Sequence, residues 1–313
     1  MAGNERGAAL ILTLLVVVLL VALVLEFDRS TRIGLMAAGN FRDGVQAGFL
    51  AKAGVAVGRG LLKDDALHSS HYDGLDEAWA KPIPPLGAGE GSMTITIQDE
   101  TGKLNPNHLV DGATRKKIPS KVAQMRRLLE SLQLDPRLVD VMVDWLDPDD
   151  EPELFGAEQA YYGGLEPPYR TKNGPFESLS ELHLLKGVTD DVYRKLAPYL
   201  TVDTQSPGRI NINTADPVVL RILDLRISFD VAERIARARP FRRLDDLDRV
   251  GGMEQVAREL RVIAQAYDIR SDTFSIISQG QARGTSRVVR ATVVRLLLPF
   301  QPPEVRIVSL RME

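Results

Sequence analysis

The sequence predicts an α+β fold in which one long N-terminal helix precedes an antiparallel sheet, and a large helical insertion interrupts that sheet. Three observations predict it. An uncharged run from Ala8 to Leu25 leads into a continuation with no proline until Pro82. Strand-like alternation lies at both ends of the remaining chain, in MTITIQ (93–98) and in the segment beginning at Asp272. Between about residues 115 and 268 the sequence is mostly helical.

The first element is the apolar run. Its 18 uncharged residues would cross most of a bilayer's hydrocarbon layer at about 1.5 Å per residue. The alternative is a cleaved secretory signal, since the Met1 amine, Arg6 and an apolar core are what such peptides carry. Two features oppose it. The run is long for a signal core, and no small-x-small site followed by a turn ends it. Instead Ile33, Ala37, Phe41, Val45, Phe49, Ala53, Val57 and Leu61 recur at every fourth position, a stripe that drifts slowly around a helix. From Ala8 to Leu62 the two parts form one rod of about 80 Å. Seven glycines between 34 and 60 either bend the rod or admit a closely packed neighbouring helix.

A proline- and glycine-rich connector, KPIPPLGAGEGS (81–92), comes next and then the MTITIQ strand. At the other end, two β-rich runs flank a polar turn around Gly284, and EVRIVSL adds a strand after Pro302 and Pro303. Inside the insertion, FESLSELHLLKGV (176–188) matches FRRLDDLDRVGGM (241–253) at Phe176 and Phe241, Leu179 and Leu244, Leu182 and Leu247, and Gly187 and Gly252. Each copy reads as a short helix with inward leucines that stops at glycine. This resembles helix-hairpin-helix modules, which bind DNA backbone through hairpin amides.

At 313 residues the chain is long enough to bury a full core. The absence of cysteine excludes disulfides, thiolate catalysis, Fe–S clusters and most structural zinc sites. A net charge of −3 leaves no global positive excess to argue for nucleic acid. No phosphate-binding loop or nucleophile elbow is present in the sequence, and His68 and His71 read as a surface helix end.

The leader ending in Arg6-Gly7, followed by an apolar helix that runs unbroken into an amphipathic half, resembles the type IV pilin and pseudopilin family. The resemblance implies cleavage by a prepilin peptidase between Gly7 and Ala8, and a pilin-like head. Most members carry glutamate at the fifth mature position, where this chain has Leu12. A buried carboxylate needs a partner, and a subunit at the end of a filament lacks the neighbour above it. The stretches DETGKLNPNHL (99–109), DWLDPDDEPELFGAEQAYYGGLEPPYRTKNGPFESLSELHLLKGV (144–188) and GRININTADPVVLRIL (208–223) are similar to minor pseudopilins of type II secretion.

That resemblance implies a non-enzymatic protein that caps the tip of a periplasmic pseudopilus, initiates its assembly, and so serves export of folded proteins. It implies a single-pass anchor in the bacterial inner membrane, a periplasmic C-terminal head, and a tip complex with minor pseudopilins I and J. Partner helices would pack along Phe41, Val45 and Phe49. The expected division is a leader at 1–7, a helix at 8–80, head segments at 81–114 and 269–313, and the insertion at 115–268.

Between Asp144 and Glu153 six of ten residues are carboxylates, with no lysine or arginine among them. The plain alternative is a solvated acidic loop. Trp145, Leu146, Pro148 and Pro152 anchor this one, and acids held together repel unless a cation sits among them. Calcium, which takes six to eight oxygens, suits such a loop, although Pro152 stands where an EF-hand places glycine. The resemblance implies structural calcium in this domain, with Asp147, Asp149 and Glu158 as central ligands and Asp144, Asp150 and Asn173 as additions.

The rival reading is a membrane-tethered DNA-binding protein. ERIARARPFRR (233–243) carries five arginines, but LDLRISFDVAERI has no glycine where an amide-exposing hairpin would stand. The arginines are expected to be solvated or paired with Asp245, Asp246 and Asp248, and no nucleic acid is expected as partner.

Overall fold

The computed structural model describes residues 4–68, 71–202, 208–262, 266–297 and 301–312. Residues 1–3 of the predicted leader thus lie outside the described residues. Helix α1, Asn4–His68, holds 65 residues, a rod of roughly 100 Å. From Gly7 to Ala38 every residue is exposed. This half is long and apolar enough to cross a membrane. The expected helix at 8–80 is shorter than predicted, because the chain turns after His68. There Glu77 accepts hydrogen bonds from the Gly74 amide and Trp79 Nε1, both at 3.0 Å, and seats the Trp79 ring edge-on to Phe274.

Strand β1, Leu86–Ala88, lies within the predicted connector and pairs with β2, Gly91–Asp99. The insertion follows, and it is less helical than the sequence suggested. Its helices are short: α2 Pro119–Ser131, α3 Leu138–Leu146, α4 Gln159–Tyr162 and α5 Asp190–Leu196. Strand β3, Ile210–Asn211, then precedes α6 Pro217–Arg221, α7 Phe229–Arg237 and α8 Val256–Val262, and runs parallel to β4, Tyr267–Asp268. The chain returns to the sheet as β5 Thr273–Ala282, β6 Thr285–Leu296 and β7 Glu304–Met312. The five-stranded antiparallel sheet has the order β1-β2-β5-β6-β7.

The C-terminal half of α1 lies on this sheet. Leu50, Ala51, Val55 and Leu62 are buried against Ile95, Ile97, Phe274 and Ile276, and buried Ala47 lies against Gly280. Glycine makes the approach possible. A Cβ on Gly280 would stand 2.1 Å from the Ala47 carbonyl oxygen, and one on Gly54 would stand 2.0 Å from Ser278 Oγ. The glycines of the rod therefore admit the protein's own sheet. The stripe through Phe41, Val45 and Phe49 faces away, and these side chains are 75%, 43% and 66% exposed.

The contacts also orient the head. Gly44 of α1 lies by Thr285 and Arg287, Gly54 by Ser278, and Gly58 by Ile276. The end of the sheet formed by Asp99 and Phe274, from which the insertion emerges, is thus the end farthest from the apolar half of α1. A buried polar joint holds the insertion there. Arg295 reaches both Asp73 carboxylate oxygens at 2.5 Å and Asp65 at 2.9 Å. Asp99 accepts from Ser271 Oγ at 2.7 Å and from Thr214 Oγ1, and burial pushes its carboxyl up to about 6.

The weak repeat extends into a full duplication of the insertion. In the first unit Asn107 bonds both the amide and the carbonyl of Phe176, and in the second Asn213 does the same to Phe241. Asn105 and Asn211 each accept the amide two residues on. Asp135 caps the Arg137 amide as Asp224 caps that of Arg226, each at 2.9 Å. Counting from those turns, buried Leu138, Met142, Val143 and Leu146 correspond to buried Ile227, Val231, Ala232 and Ile235. The leucine-bearing helices are 3-10 turns, Leu179–Leu184 and Leu244–Arg249. Each is followed by glycine in the left-handed region, Gly187 at φ 80° and Gly252 at φ 91°.

Candidate metal centre

The acidic cluster grows out of the end of α3. Packing on both faces buries eight of the nine residues of this helix, from Leu138, Val139, Val141 and Met142 to Trp145 and Leu146. The burial carries Asp144 inside with them, at 0% exposure. One Asp144 oxygen, Oδ1, accepts the Glu153 amide at 3.0 Å, while Oδ2 finds no donor. Pro148 and Pro152 forbid helix continuation, so the chain folds back over the helix end. Glu158, 4% exposed, comes to lie beside Asp147 and Asp149. Oxygens of these three carboxylates all fall within 4.8 Å of one another.

Asn173 closes the group from the far side of the loop. Its backbone takes a left-handed φ of 45°, and its Nδ2 donates to the Asp149 carbonyl at 3.1 Å, which turns Oδ1 inward. Arg115 braces the loop by donating to the Asn173 carbonyl at 3.0 Å. Five buried oxygens then find no hydrogen-bond donor: Asp144 Oδ2, Asp147 Oδ1, both Glu158 oxygens and Asn173 Oδ1. Buried acceptors without donors are costly. An all-oxygen set of this kind fits a hard cation such as calcium.

The electrostatics agree. Desolvation, followed by the charges of Asp144 and Asp147, pushes the Glu158 carboxyl up to about 8. Burial raises Asp144 to about 6, and burial with Asp149 nearby raises Asp147 to about 6. Between about pH 4.5 and 8 the metal-free folded chain thus holds protons that the unfolded chain releases. Stability without metal is expected to fall as pH rises through this window. Melting temperatures in chelator at pH 5 and pH 8 check this, and a higher value at pH 8 would count against it.

Asp147, Asp149 and Glu158 are thus brought together, Asp144 is near enough for its charge to act on Asp147 and Glu158, and Asn173 is bonded to the Asp149 carbonyl. Asp150 is exposed and lies outside the trio, and its charge is felt at Glu158. Gly156 was not among the expected site residues. A Cβ there would stand 1.8 Å from Asp144 Oδ2, so glycine is required for that carboxylate to keep its place. The histidines hold no such position: His68 bonds Asp64 at 3.0 Å on the surface.

The hairpins suited to phosphate are already filled. The carboxylates of Asp135, Asp224 and Glu254 accept the amides of Arg137, Arg226 and Gly252. Within the arginine run, Arg243 pairs with Asp245 as expected. Asp246 and Asp248 instead meet Arg249 and Arg261. Arg239 is turned inward onto the carbonyls of Ile212 and Ala215, and burial lowers it to about 10.

Two family models, both described as type II secretion system protein K, match residues 102–204 and 210–270. These segments coincide with the two units of the duplication. A type II secretion system protein K of Pseudomonas aeruginosa is 30% identical over 309 residues, covering 94% of this chain and 90% of its own. Another, from Aeromonas hydrophila, is 28% identical over 312 residues, covering 89% and 94%. Among solved structures, a chain of the GspK-GspI-GspJ complex from enterotoxigenic Escherichia coli has the same fold, with a TM-score of 0.72 at 18% identity. The match covers 88% of this chain and 99% of that one.

Proposed function

The chain belongs to the type II secretion system protein K family, and from that premise we propose that it is the minor pseudopilin that caps a periplasmic pseudopilus and initiates its assembly. The observation that carries this is the place of the insertion, at the end of the head farthest from the apolar half of α1. A subunit stacked above would meet that bulk. Leu12 supports the same reading, because it leaves the apolar helix without an acid to pair with a subunit above.

In this role the exposed apolar half of α1 is a single-pass anchor in the inner membrane, the head lies in the periplasm, and a prepilin peptidase cuts between Gly7 and Ala8. The structural neighbour is a complex with GspI and GspJ, and minor pseudopilins of those kinds are the partners we assign to this chain. Their helices would cover Phe41, Val45 and Phe49, the apolar positions that the head leaves bare. Calcium, held by Asp147, Asp149 and Glu158 with Asp144 and Asn173, would supply the positive charge that lets these acids stay together. The residues tie the end of α3 to the loop around residue 173, so the role is structural.

Replacing Phe49 by glutamate tests the assignment. The side chain is 66% exposed, so the chain's own stability should move by no more than about 0.5 kcal/mol. Co-purification with minor pseudopilins I and J should fall sharply. Parent-like recovery of the complex would remove this face from the interface, and failure of the parent chain to recover either partner would overturn the proposed role.

A further inference from the structure

The two units of the insertion share a cleft but fill it differently. In the first, the cleft between the end of α3 and the 3-10 turn Leu179–Leu184 holds the chain's own residues 156–172. Tyr162 is buried edge-on to Trp145 at 5.6 Å, and its hydroxyl accepts the Lys186 amide at 3.3 Å. Tyr169 donates to the Leu184 carbonyl at 2.6 Å, and Lys172 donates to Glu181 at 2.8 Å.

In the second unit the corresponding positions are Arg234 for Trp145, Arg249 for Leu184 and Asp246 for Glu181. Here only Ala238, Arg239 and Pro240 join α7 to Phe241, and they are too few to cover anything. The cleft stands open as a cavity of about 590 Å³, with Phe241 and Val250 among its lining and Arg234, Arg237, Arg242 and Arg249 around it. Asp246 is the one carboxylate in that lining. The Arg237 and Arg249 side chains are 80% and 78% exposed, and Arg234 is set in place by the Gly251 carbonyl at 3.0 Å.

We propose that this second cleft is a docking site for an extended, acidic segment of a partner protein, laid in as residues 156–172 are laid into the first. Charge complementarity selects carboxylates, and the apolar lining suits an aromatic or aliphatic anchor beside them. Nucleic acid is the poorer occupant, because the hairpin amides that would take phosphate in this unit are bonded to Asp224 and Glu254. The site goes beyond the tip role and depends on neither calcium nor the Phe49 face.

The test uses the full chain in a non-ionic detergent and fluorescence anisotropy of a labelled synthetic peptide with the sequence of residues 147–164, which joins six carboxylates to Phe155, Tyr161 and Tyr162. Saturable binding that weakens with salt is expected. Arg237→Glu with Arg242→Glu should weaken it by about tenfold or more, as should replacing the peptide's acids by their amides. Circular dichroism of the variant confirms its fold, and Arg237→Lys with Arg242→Lys should retain binding. No saturation, or equal affinity for the charge-reversed chain, would overturn the site. Tighter binding of a short DNA duplex would overturn the choice of a protein partner.

Discussion

Calcium at a hundredfold excess over its dissociation constant is expected to raise the melting temperature by about 5–10 °C relative to chelator. Binding at that ratio stabilises the folded state by about 2.7 kcal/mol, and a unit the size of the insertion gains about 2–4 °C per kcal/mol. The effect should be larger at pH 8 than at pH 5, because protons on Glu158, Asp144 and Asp147 compete with the ion. Glu158→Gln separates the possible causes. Without metal Glu158 gains its charge only as pH rises through about 8, so the change should leave the melting temperature unchanged at pH 5 and unchanged or higher at pH 8. With calcium it should lose most of the increment. Gly156→Ala should also lose the increment, by displacing Asp144 Oδ2. If scanning calorimetry finds the same melting temperature in calcium and in chelator, the cluster is an ordinary acidic loop.

The other large effect is expected at Gly280→Val. On one side of Gly280 lies the backbone of α1, with the Ala47 oxygen 2.1 Å and the Ala51 nitrogen 2.5 Å from any Cβ. Backbone cannot swing aside as a flexible side chain would, so helix and sheet must separate. A cost of about 3 kcal/mol or more follows. Hydrogen exchange should show the amides of α1 around Ala47 and Ala51 losing protection before those of α3. Gly60→Ala is the control. It meets nothing within 4 Å and should stabilise the helix by up to about 1 kcal/mol. A Gly280→Val chain as stable as the parent would mean that α1 does not lie on the sheet as described.

The long helix and four of the sheet's five strands were legible because they rest on local periodicity, and MTITIQ and the Gly284 turn fall within β2 and between β5 and β6; β1 was not, since its three residues lie in the segment read as a connector. The candidate metal centre was partly legible. Asp147 and Asp149 advertise themselves in an acidic run, and Asn173 and Glu158 came from a resemblance. Gly156 could not be found, since its importance is a distance to Asp144 that no spacing encodes. The duplication was half hidden. Its Phe and Leu positions align, but residues 147–175 put Asp135 out of step with Asp224, and a longer stretch between Asn107 and Asp135 than between Asn213 and Asp224 puts Asn107 further out of step with Asn213. The asparagine pairs in LNPN and ININ were the available signal. The insertion misled as a whole because short apolar runs resemble helix even where 3-10 turns and a parallel strand pair form.

Residues 99 and 274 sit opposite each other in the sheet, and the Glu100 amide still reaches the Thr273 carbonyl at 3.0 Å. The gate through which the duplicated domain leaves and returns is therefore no wider than a hairpin. Strand pairing on the near side is indifferent to what hangs beyond it, and the entropy of closing so long a detour grows only with the logarithm of its length. Selection could lengthen, double or re-equip the cargo beyond that gate while the helix and sheet on its near side stayed the same.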